Sequence, residues 1–63
     1  MIVKIRVTPT TLFFDDMSDE LINVIPYPFE VRNAPKGYRI SGTPEKLYLL
    51  IVELSRTFDI EII

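Results

Sequence analysis

Apolar and polar residues alternate at the start of the chain. Val3, Ile5 and Val7 stand against Lys4, Arg6 and Thr8, the pattern of a strand with one buried face. Pro9 ends it. From Thr11 to Ile25 the period changes. At ~100° per residue, Phe13, Val24, Met17, Leu21, Phe14 and Ile25 fall within an arc of roughly 120°, with Asp15, Asp16, Asp19, Glu20 and Asn23 on the other side. This predicts a helix over residues 11–25. Leu12 and Ile22 break its pattern, and Thr10, Asp16 and Ser18 can each cap its start. A later start leaves Leu12–Phe14 as an extended segment. Pro26 ends the helix, because the residue before a proline is pushed out of the α region.

Phe29 and Val31 alternate with Glu30 and Arg32, which predicts a second strand, and Pro28 assigns it to a sheet edge. Asn33-Ala34-Pro35-Lys36-Gly37 is turn chemistry, with Gly37 free to take positive φ. Tyr38 and Ile40 return as the other arm of a hairpin. Next, Thr43 is a good N-cap, Pro44 suits the first helical position and Glu45 meets the helix dipole, which predicts a helix over 44–57. Leu47, Leu50, Ile51 and Leu54 form its core stripe. Phe58, Ile60 and Ile62 alternate with Asp59 and Glu61 as a last strand.

The order βαββαβ predicts one α+β domain over residues 1–63, laid out as the ferredoxin-like split βαβ sandwich. That layout has a four-stranded antiparallel sheet with two helices on one face, the last strand beside the first and the first beside the third. Antiparallel pairing of residues 2–7 with 58–63 sets Lys4 and Arg6 against Asp59 and Glu61. The competing arrangement is another α+β fold with a short first helix.

Composition narrows the chemistry. With 63 residues the chain buries a small core, yet 48% of it is hydrophobic, so apolar surface is expected to remain for a partner. The chain has no cysteine and no histidine, which removes disulfides, thiolate metal sites and the usual neutral-pH base. The longest apolar run, Leu47 to Val52, is six residues, far below the ~20 of a membrane span. No apolar leader block opens the chain, and a cytoplasmic location is expected. Net charge is −2, so no strong basic field marks a duplex-binding domain.

No catalytic or metal-binding motif is present, and no cofactor is implied. Heavy-metal transfer domains share the layout but carry Cys-x-x-Cys where this chain has Thr8-Pro9-Thr10-Thr11. Asp15, Asp16, Asp19 and Glu20 read as a solvated helix face, lacking the spacing and glycine of a calcium loop. The helix-free sheet face is predicted to carry Lys4, Arg6, Glu30, Arg32, Arg39, Ser41, Asp59 and Glu61. None is aromatic, which argues against RNA stacking there, although Lys4, Arg6, Arg32 and Arg39 form a small basic stripe. Tyr48, Leu49 and Val52 extend the second helix's apolar surface beyond its core stripe, into the face of Glu45, Glu53 and Arg56. These six residues are the expected partner-binding surface. The function expected first is a non-enzymatic protein-interaction module, acting as a homo-oligomer, a subunit or an inhibitor of a larger protein. A small-ligand regulatory dimer using Ser41-Gly42-Thr43 is the alternative, and nucleic-acid binding ranks third.

Overall fold

The computed structural model describes residues 2–63. In chain order the elements are β1 (Ile2–Val7), β2 (Thr11–Phe14), α1 (Asp19–Val24), β3 (Arg32–Ala34), β4 (Gly37–Ser41), α2 (Pro44–Ser55) and β5 (Asp59–Ile62). They form a five-stranded mixed sheet in the order β3-β4-β2-β1-β5, in which β1 and β5 are parallel and all other neighbours antiparallel. This overturns the four-stranded antiparallel ferredoxin-like sheet.

The difference begins at residues 11–14, which form a strand and not the first turns of a helix. Thr8 closes a tight hairpin around Pro9 and Thr10. Its N–H and hydroxyl donate to the Thr11 carbonyl at 2.9 and 3.1 Å, and the Thr11 N–H donates to Thr8 Oγ1 at 3.0 Å. Val7 then lies opposite Leu12, and Ile5 opposite Phe14. Leu12 and Phe14 are buried on one side of β2, while Thr11 and Phe13 are half-buried on the other. The Thr8 hydroxyl takes part in two of these bonds, each worth about 0.5–1.5 kcal/mol net. Thr8→Val is therefore expected to destabilise the domain by about 1–2 kcal/mol. Urea unfolding checks this, and an unchanged midpoint would show that the hairpin closes without the hydroxyl.

The first helix is correspondingly short. Ser18 caps it, its Oγ accepting from the Leu21 N–H at 3.2 Å, and Ile25 before Pro26 is extended with ψ of 116°. Phe29 and Val31 pack against the core, but the second strand expected at 29–32 is displaced to 32–34, so Pro28 lies in a loop and not on a sheet edge. In α2 the local signals act as expected. Thr43 caps, its Oγ1 accepting from the Lys46 N–H at 3.4 Å, and Pro44 opens the helix.

Two strand–helix–strand units remain, β2–α1–β3 and β4–α2–β5, and β1 belongs to neither. It inserts between β2 and β5. Because β1 is antiparallel to β2, the inserted strand reverses the polarity that β5 meets, and the terminal pair is parallel. The register still brings Lys4 beside Glu61, whereas Arg6 lies beyond the paired part of β5.

Val3, Ile5, Leu12, Phe14 and Ile40 from the sheet, Leu21 from α1, Leu47, Leu50 and Leu54 from α2, and Phe58 form one buried cluster. Both helices thus cover the same sheet face. Every buried side chain among the described residues is apolar.

Candidate functional site

Two surfaces stand out once the core is assigned. The first is the outer side of α2. Leu47, Leu50 and Leu54 point inward, so Tyr48 and Leu49 project outward, 66% and 63% exposed. Val52 is only half-buried and lies at the margin of this surface. Glu45, Glu53 and Arg56 are exposed, and Arg56 pairs with Glu53 at 3.4 Å. Tyr48 also lines a groove of about 350 Å³ with Val7, Pro9, Pro44 and Ile51, none of which belongs to the expected partner-binding surface. The β1–β2 hairpin supplies Val7 and Pro9, so recognising it was necessary to see that the apolar surface extends past α2.

The second surface is the sheet face that no helix covers. Strand register places Lys4, Arg6, Arg32, Arg39, Ser41, Asp59 and Glu61 on it, as their alternation predicts. Glu30 is outside the strands and accepts a 2.6 Å hydrogen bond from Arg32. The expectation that no aromatic residue reaches this face is corrected by Phe13. As a strand residue it points opposite to buried Phe14, and it sits in a cross-strand row, Arg32–Arg39–Phe13–Arg6. The Arg6 guanidinium lies over the Phe13 ring, 5.8 Å from its centroid. The alternation of Leu12 and Phe14 after a Pro-Thr turn was the available sign, masked by a helical arc that accommodates Phe13 equally well.

The Ser41-Gly42-Thr43 junction is occupied by the fold's own contacts. The Gly42 N–H donates to the Thr10 carbonyl at 3.1 Å, and the Thr43 hydroxyl caps α2. A Cβ at Gly42 would stand 3.4 Å from the Leu47 and Phe29 side chains, so the glycine lies close against apolar side chains of the fold itself. The acidic residues do not share one helix face either. Asp15 and Asp16 precede α1, and only Asp19 and Glu20 occupy its first turn. Among the described residues, no three carboxylates converge as a metal site would need. No described helix is long and apolar enough to cross a membrane.

Comparison with family models, curated proteins and solved structures finds no match to this chain.

Proposed function

We propose that the domain is a small, non-enzymatic protein-interaction module acting in the cytoplasm. Its binding surface is centred on Tyr48 and Leu49, continues through Pro44, Val7 and Pro9, and is bordered by Val52, Glu45, Glu53 and Arg56. The observation that carries this reading is the exposure of two consecutive large apolar side chains midway along a capped helix. Single exposed apolar residues are ordinary, but a contiguous patch rimmed by charge is the pattern of an interface.

The occupant proposed is a second copy of the chain, giving a homodimer across paired α2 faces. A subunit or inhibitor role uses the same face toward a larger protein. The opposite route to a dimer, edge pairing through β5, is disfavoured by its own charges. A two-fold antiparallel pairing of that strand sets Glu61 against Glu61 or Asp59 against Glu61 on one face.

Replacing Tyr48 by alanine and Leu49 by serine together is expected to weaken self-association at least about tenfold, since central aromatic and apolar contacts carry most interface energy. Both side chains are outside the core, so circular dichroism should be unchanged. Sedimentation equilibrium measures the effect. A wild-type chain that stays monomeric at high concentration, or a double variant that associates as before, would remove the homodimer.

A further inference from the structure

We propose that the helix-free sheet face binds single-stranded nucleic acid, with the Arg6 guanidinium turning from the Phe13 ring to a phosphate so that one base stacks on Phe13, and with Arg39 and Arg32 holding further backbone phosphates. This is a separate surface from the α2 patch and does not depend on it.

The row Arg32–Arg39–Phe13–Arg6 crosses four adjacent strands, and at ~4.8 Å between strands it spans roughly 14 Å. Three guanidinium groups and one aromatic ring are therefore held on a rigid sheet. Arg32 lies directly opposite Arg39, a like-charge pairing that destabilises a sheet unless an anion offsets it. Glu30 offsets Arg32. Among the described residues, Arg39 and Arg6 form no ion pair, so two cations flank the half-buried Phe13 without an anionic partner.

The chain's net charge conceals this arrangement. Of its seven basic residues, Lys4, Arg6, Arg32, Lys36 and Arg39 lie on this face or on the turn beside it. Asp15 flanks the end of β2, and Asp59 and Glu61 lie on β5, so the basic region ends at β1 and suits a short strand of a few nucleotides. Duplex binding needs a longer track of phosphates.

Beside the row, Phe13, Ala34 and Pro35 wall a pocket of about 280 Å³, with Arg6 and Lys36 also lining it and Phe14 and Tyr38, which belong to the core side of the sheet, contributing to it as well. Its size is near the lower end of small-ligand sites, ~300 Å³. An apolar slot with an aromatic wall and cations beside it matches a planar base attached to phosphate. An acidic peptide would use the arginines but leave the ring and slot without a function. Sheet aromatics stacking unpaired bases between basic side chains is also the physical basis of sheet-mediated RNA recognition.

The test uses fluorescein-labelled ten-nucleotide oligo(dT) and oligo(U), read by anisotropy at about 50 mM salt. Binding is expected with a dissociation constant of about 10⁻⁴–10⁻⁶ M, weakening as salt rises. Phe13→Thr, which retains strand propensity, should weaken binding about tenfold or more. Arg39→Gln should make the slope of log affinity against log salt shallower by about 0.7 per phosphate released. Tyr48→Ala with Leu49→Ser should bind the oligonucleotides as the wild type does. Amide shifts confined to Arg6, Thr11–Phe14, Arg32 and Arg39 would locate the ligand on this face. No binding of either oligonucleotide, or binding indifferent to Phe13→Thr and Arg39→Gln, would overturn the proposal. So would tighter binding of a polyglutamate peptide than of both oligonucleotides.

Discussion

Phe14→Ala is expected to remove about half or more of the domain's stability, whereas Phe13→Ala, one residue earlier, leaves most of it in place. Phe14 is 1% exposed at the centre of the buried cluster, where β2 meets both β1 and β4. Phe-to-Ala truncation in a core costs about 3–5 kcal/mol, combining lost burial with the cavity left behind. A chain of 63 residues, at about 0.05–0.15 kcal/mol per residue, has only about 3–9 kcal/mol in total. Phe13 is half-buried on the uncovered face, so its loss opens no internal cavity and should cost about 1 kcal/mol or less. Thermal denaturation of the two variants side by side makes the comparison. Equal destabilisation would mean that both rings share one buried stripe, as a helix over these residues requires, and would remove β2 from the fold.

Gly37→Ala is expected to be nearly as damaging, though the substitution adds a single methyl group. Gly37 holds φ of 138° where the chain turns from β3 into β4. An added Cβ would overlap the Phe14 backbone oxygen and stand 2.9 Å from that of Asp15. Both atoms are main chain at the end of β2, so no rotamer change relieves the clash. Relief requires β4 to move away from β2, at the pairing of Phe14 with Tyr38. The backbone conformation alone disfavours a side chain by about 1–3 kcal/mol, and disturbing the ladder brings the expected loss to about 2–4 kcal/mol. Denaturant titration gives the magnitude, and faster amide exchange at Phe14 and Tyr38 would place the damage. A loss below about 0.5 kcal/mol would show that the turn has room to relax.

These neighbouring effects explain which parts of the α2 and sheet surfaces were legible in advance. The outward positions of Tyr48 and Leu49 were legible because α2 declares its own phase. Thr43-Pro44 sets its start, and Leu47, Leu50 and Leu54 repeat at helical spacing, so the outward positions follow. Phe13 was missed because its direction depends on a choice between two periods. Phe13, Phe14, Met17 and Leu21 lie on one helical arc, yet Leu12 and Phe14 also alternate as a strand. The carboxylates that follow, Asp15, Asp16, Asp19 and Glu20, suit the solvent side of a helix as well as a loop leading into one. Only the bonds between Thr8 and Thr11, with pairing to β1 and β4 on either side, select the strand.

The sequence by itself determined the features whose causes lie within a few residues. These are the alternation of β1, β4 and β5, the positive φ at Gly37, the cap and stripe of α2, and the end of α1 before Pro26. Tertiary structure alone decided that residues 11–14 extend, that β1 inserts between β2 and β5, and that the β1–β5 pair is parallel. A hydrophobic period records which side of an element is buried, and it is the same for a strand running in either direction beside any neighbour. Partner and polarity are chosen by the closure of the whole sheet over one core, a long-range condition that no local window contains.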